Sequence, residues 1–98
     1  MKKRYIVSID GNISKEKENI FSEYLKENQL IWWHWLSNTW LIIDEHDKVD
    51  SAILRSKAKD IFGTYNWVYN IENGNWAGFG PNGADRNMFT WLKEKWPE

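Results

Sequence analysis

The sequence predicts an α+β fold: a four-stranded antiparallel sheet in β-α-β-β-α-β order, with two helices on one face and a short C-terminal helix. Three observations carry this. Two charged segments repeat apolar residues at helical spacing. Four shorter segments are rich in β-branched and aromatic residues. The two kinds follow one another along the chain in that order. Ninety-eight residues make one domain, with residues 1–72 as the βαββαβ core and 73–98 as a loop and final helix.

Tyr5 to Asp10, "YIVSID", reads as the first strand, with Tyr5, Val7 and Ile9 sharing one face. Gly11-Asn12 ends it. A helix is expected from Ser14, a good N-cap, to Glu27, because Ile13, Ile20, Phe21, Tyr24 and Leu25 recur along one helical face. Leu30 to Leu36 and Thr39 to Asp44 read as two strands around a Ser37-Asn38 turn. A regular two-residue loop would set Trp35 opposite Trp40 and Trp33 opposite Ile42. Trp32, His34, Leu36, Leu41 and Ile43 would then share the other face, and a one-residue slip would change the pairing.

Asp47 or Asp50 is expected to cap a second helix running to Phe62, with Gly63 as its stop. Tyr65 to Ile71, "YNWVYNI", alternates aromatic and polar residues as a fourth strand. "ENGNWAGFGPNGAD" is a loop by its glycine, asparagine and proline content. Asp85 is the candidate cap of a last helix carrying Phe89, Leu92 and Trp96. This order is the split βαβ, ferredoxin-like arrangement. Both faces of the tryptophan hairpin are apolar, whereas a sheet with one solvated face should alternate cleanly. The second face therefore needs a cover: the last helix, a second copy of the chain, or a ligand.

Net charge is −1 and pI about 6.1, which argues against a general phosphate-gripping surface. With no cysteine, thiolate zinc sites and thiol nucleophiles are excluded, and a reducing cytoplasm fits. No apolar run reaches the roughly 20 residues of a membrane span. The basic start, Met1 to Arg4, is followed by an apolar run that ends at Asp10, too short for a signal peptide.

Few residues suggest chemistry. Asp10, at the carboxyl end of the first strand, could hold a divalent cation with two copies each supplying one, or could simply organise the Gly11-Asn12 turn. His34 is the candidate general acid–base, against a structural imidazole hydrogen-bonded among aromatics. "DEHD", Asp44 to Asp47, has metal-ligating residue types without a defined geometry. Gly78 to Gly83 fits G-x-G-x-x-G formally, but it follows the last strand with no second strand behind it, so it reads as a loop. Trp32, Trp33, Trp35 and Trp40 could be core, interface or a base-stacking platform. "NTWLIID" lacks the aromatic signature of an RNA-recognition strand, which favours core or interface.

Three segments, "RYIVSID", "WWHWLSNTWLIID" and "NWVYNIENGNWAGF", together resemble small ferredoxin-like proteins similar to the CRISPR-associated adaptation endonuclease, in particular its SinR-like branch. The resemblance spans nearly the whole chain and is most specific in the hairpin. It implies a ferredoxin-like protomer and a homodimer joined through sheet faces. In the nuclease relatives the aspartate ending the first strand binds Mg²⁺ across the dimer, and Asp10 occupies that place. Here Gly11-Asn12 follows, without the basic residue often found there. The expected function is thus a small cytoplasmic homodimer that binds a protein or nucleic-acid partner and needs no cofactor. The alternative is a Mg²⁺-dependent endonuclease for RNA or DNA using Asp10 of both subunits.

Overall fold

The computed structural model describes residues 2–71, 77–78 and 80–96. Its elements are β1 (Lys3–Ile9), α1 (Lys15–Glu27), β2 (Ile31–Leu36), β3 (Thr39–Asp44), α2 (Ser51–Phe62), β4 (Asn66–Ile71) and α3 (Thr90–Glu94). Ser14 caps α1 by accepting from the Lys17 N–H at 3.2 Å. Asp50, not Asp47, caps α2, taking the Ile53 N–H at 2.8 Å. Gly63 closes that helix at φ 68°, a left-handed conformation that suits glycine. Asp47 pairs with Lys3 instead. Hydrogen bonding between them holds the Asp47 carboxyl below, and the Lys3 ammonium above, its ordinary range.

The sheet order is β2-β3-β1-β4, with every neighbouring pair antiparallel. That is the ferredoxin-like order, and α1 and α2 lie together on one face. There Tyr5, Val7, Ile9, Trp40 and Ile42 meet Phe21, Leu25, Leu54, Ala58 and Phe62 in one buried core. Trp40 is its largest fully buried side chain, with Phe21 edge-on at 5.1 Å between ring centroids.

The hairpin departs from the regular register. Leu36 pairs with Thr39 as expected, but beyond the turn Trp33 pairs with Leu41, Trp32 with Ile42 and Ile31 with Ile43. Two β2 residues, His34 and Trp35, therefore stand opposite Trp40 alone. This is a β-bulge, and one extra residue moves everything upstream to the other face. The expected pairs Trp35–Trp40 and Trp33–Ile42 do not form. His34 takes the place beside Trp40, and Trp33 moves to the outer face.

The outer face carries a second, smaller core of Trp33, Ile43, Met88, Leu92 and Trp96. The Trp33 indole N–H donates to the Met88 carbonyl at 2.8 Å, and Arg4 Nε donates to the Trp96 carbonyl at 2.6 Å. The C-terminal segment thus covers one end of this face, where Ile31, Trp33, Leu41, Ile43, Arg4 and Ile71 lie. Its helix begins later than Asp85 suggested. Residues 81–88 first form a small hairpin, with Gly83 N–H on the Arg86 carbonyl and Met88 N–H on that of Pro81. The N-cap is Phe89, not Asp85, and it has no side-chain cap; Asn87 Oδ1 accepts from the Phe89 and Thr90 N–H groups at 2.8 and 3.2 Å just ahead of the helix. The glycine-rich stretch predicted as a loop lies partly, at 72–76 and 79, outside the described residues.

Candidate binding surface

The register of β4 on β1 sets what the outer face displays. Val68 pairs with Val7 and so lies under α2, which sends Trp67 and Tyr69 to the outer face beside Ser8 and Ile6. The C-terminal segment does not cover them: Trp67 is 68% exposed and Tyr69 57%. Across the sheet, Trp35 rests under the Arg86 guanidinium, 5.4 Å from its ring centroid. Between these aromatics the Ser8 and Thr39 hydroxyls lie 3.4 Å apart. Half the outer face is therefore an open shelf, aromatic at both edges with a hydroxyl floor.

The other open feature is a trough along the outer edge of β4, beneath α2. One stretch is bounded by Ser51, Ala52, Arg55 and Trp67, and it continues past Lys59 and Tyr65 to Asp10. Tyr65 is the most exposed of the large hydrophobic side chains in the described residues, at 85%.

Asp10 is exposed just beyond β1. Its backbone is fixed: its N–H donates to the Tyr65 carbonyl at 2.9 Å, and its carbonyl accepts from the Thr64 hydroxyl at 3.0 Å. Its carboxylate makes no hydrogen bond or ion pair among the described residues. The turn after it is held by Asn38, whose amide Nδ2 donates to the carbonyls of Ile9, at 2.8 Å, and Gly11. Asp10 therefore does not organise that turn through its side chain. Arg55 and Lys59 line the same trough, and no group of three His, Asp or Glu gathers among the described residues. One carboxylate beside two cations does not fit a divalent ion within a single chain, since such ions take several oxygen ligands.

His34 has both ring nitrogens engaged. Nδ1 lies 2.9 Å from the Thr39 carbonyl, which only accepts, so Nδ1 carries a proton. Nε2 lies 2.7 Å from Glu18 Oε1, a contact that needs a second proton on the ring or on the carboxyl. The ring stacks on Trp40 at 3.8 Å between centroids and 4° between planes. His34 thus clasps α1 to the hairpin and shares no hydrogen-bond partner with Asp10. Asp44, from "DEHD", is buried, and its carboxylate accepts from the His46 and Val49 N–H groups at 3.1 and 2.9 Å, shaping the approach to α2.

Of the four hairpin tryptophans, Trp40 and Trp33 are consumed by the inner and outer cores, Trp32 is half-buried against the inner one, and Trp35 reaches the shelf. The surface residues that reading the sequence passed over are Tyr65, Trp67 and Tyr69. Their spacing of two was visible. Which face they took was not, because that depends on the β1–β4 register.

These features define a small α+β domain of ferredoxin-like topology whose open surfaces are an apolar shelf and a sheet edge. No family model, curated protein or solved structure matches the chain. No helix among the described residues is long and apolar enough to cross a membrane.

Proposed function

We propose that the protein acts by non-covalent association, first with a second copy of itself and through that dimer with a further partner, in the cytoplasm. The observation that carries this is the open half of the outer face, where Trp67 and Tyr69 stand exposed on a strand without a charged residue. Buried aromatic side chains remove roughly 150–250 Å² each from water. Trp67 and Tyr69, still 68% and 57% exposed, would form the apolar centre of an interface between copies, with Trp35 and the strand surface between them as its rim. The likeness of the opening strand and hairpin to proteins that pair through sheet faces supports the same reading, and the cysteine-free sequence supports a reducing compartment.

Sedimentation at micromolar concentration tests it. The expected mass is twice the 11.8 kDa of the chain, and Tyr69→Glu should return it to one chain mass without unfolding. A wild-type monomer would overturn the dimer. A weaker proposal is Mg²⁺-dependent cleavage of RNA or DNA through Asp10 of both copies, supported by the exposed, unpaired strand-end carboxylate and by the resemblance. It requires the second copy to complete any metal site.

A further inference from the structure

We propose that the trough between α2 and the outer edge of β4 binds an extended acidic peptide, which adds to the sheet as a fifth strand. This rests on the reading of the protein as a binding module and names a partner for it.

The sheet has two edges, and they differ. At β2 the bulge at His34-Trp35 breaks the ladder, one of the devices by which proteins blunt an edge. At β4 no such device is present. Its pairing with β1 runs unbroken from Arg4↔Ile71 to Ile9↔Asn66, and the strand has no proline, lysine or other charge. Among the described residues, no strand lies beyond the backbone groups that point away from β1. An edge of this kind is a template for strand addition, in which main-chain hydrogen bonds supply affinity and flanking side chains supply specificity.

The flank here is α2. Ser51 and Ala52 are small and leave a recess of about 330 Å³ against Trp67 and Val68. Arg55 follows, then Lys59, four residues on and so on the same side of the helix. Both are exposed, and neither forms an ion pair among the described residues. The Arg55 guanidinium makes one long hydrogen bond, to Ser56 Oγ at 3.4 Å, while the Arg55 carbonyl accepts from Asn66 Nδ2 at 3.3 Å. Four residues advance a helix by about 6 Å, and two residues advance a strand by about 6.6–6.8 Å. Acidic side chains at alternate positions of an added strand would therefore meet Arg55 and Lys59 in turn. The intervening side chains would fall on the outer face beside Trp67 and Tyr69, which favours apolar residues there. Asp10 at the far end sets where the acidic run should stop.

Charge also selects against the competing occupants. A second copy paired edge to edge by a two-fold axis would bring two sets of Arg55 and Lys59 towards each other. A nucleic acid would find only two cations, with Asp10 between it and any more.

The test is fluorescence anisotropy with labelled, end-blocked heptapeptides on wild-type protein. A peptide alternating valine and glutamate should bind. Its valine–lysine counterpart, and a version N-methylated at alternate residues to remove strand pairing, should each bind at least tenfold more weakly. Arg55→Glu/Lys59→Glu should lose the acidic peptide and gain the lysine one, while keeping the wild-type melting temperature and sedimentation. Absence of binding by the acidic peptide, indifference to N-methylation or to the double substitution, or tighter binding of an oligouridylate would each overturn the proposal. Peptide binding by a monomer would remove the dimer and leave the trough; a dimer that ignores the peptide would do the reverse.

Discussion

The imidazole of His34 lies flat on the indole of Trp40, 3.8 Å between centroids and 4° from parallel, and between them they join α1, β2 and β3. Trp40 has no exposed surface, and its indole N–H finds no hydrogen-bond partner among the described residues. Trp40→Ala should therefore cost about 3–5 kcal/mol in urea unfolding. Trp40→Phe should cost distinctly less, since it keeps most of the ring and removes an unsatisfied donor. Equal losses for the two would mean the stack with His34, rather than volume, is what matters.

His34→Ala leaves the Thr39 carbonyl and the Glu18 carboxylate without their partner and should destabilise by about 1–3 kcal/mol. Glu18→Gln, which can still meet the ring through its amide, should cost less. If His34→Ala left stability untouched while abolishing a measured activity, the histidine would be a functional residue and the clasp incidental.

The bulge makes an unusual prediction. Deleting Trp35 removes the extra residue while preserving Leu36↔Thr39 on one side and Trp33↔Leu41 on the other. His34 would then stand directly opposite Trp40. The deletion should fold, and in urea it should be more stable than Trp40→Ala, because Trp35 contributes an exposed contact with Arg86 and no core volume. An unfolded deletion variant would show that the bulge sets the hairpin's twist and cannot be regularised.

Leu92 is 3% exposed and stands in the outer core. Leu92→Ala should cost about 2–5 kcal/mol. Leu92→Asp should go further, detaching the C-terminal segment and exposing Trp33 and Ile43, read as dye binding and self-association with the helical signal of α1 and α2 retained. Loss of all secondary structure would instead mean that the two cores unfold as one unit.

For Asp10, Mg²⁺ or Mn²⁺ should leave the melting temperature unchanged, and Asp10→Asn should stay within about 0.5 kcal/mol of wild type, the range of ordinary surface changes. A metal-induced rise that Asp10→Asn abolishes, together with metal-dependent cleavage of RNA or DNA, would establish the nuclease reading in its place.

Most of the fold was legible because its signals are local. Ser14, Asp50 and Gly63 mark helix ends by chemistry that acts within one turn of chain. What stayed hidden is non-local. One extra residue opposite Trp40 reversed the faces of β2, and nothing in "WWHWLS" marks which residue bulges. The same holds for β4: alternation groups Trp67 with Tyr69, but only pairing with β1 turns them outward. Phe89 displaced Asp85 as the N-cap of the last helix because the hairpin before it consumes the residues between. The candidate surface was thus the least readable part, since it is made of what remains after two cores have been filled.

The two cores also close at different moments in the life of the chain. The inner one needs nothing beyond β4. The outer one waits for Met88, Leu92 and Trp96, and Met88 leaves the ribosome about 45 residues after Ile43. At roughly 5–20 residues per second, Ile43 stays bare for roughly 2–9 s and Trp33 for roughly 3–11 s before Met88 emerges. In that interval the apolar end of the outer sheet face around Trp33 and Ile43 is uncovered. The order of emergence therefore leaves this surface open to chaperones until the chain's own C-terminal segment can cover it.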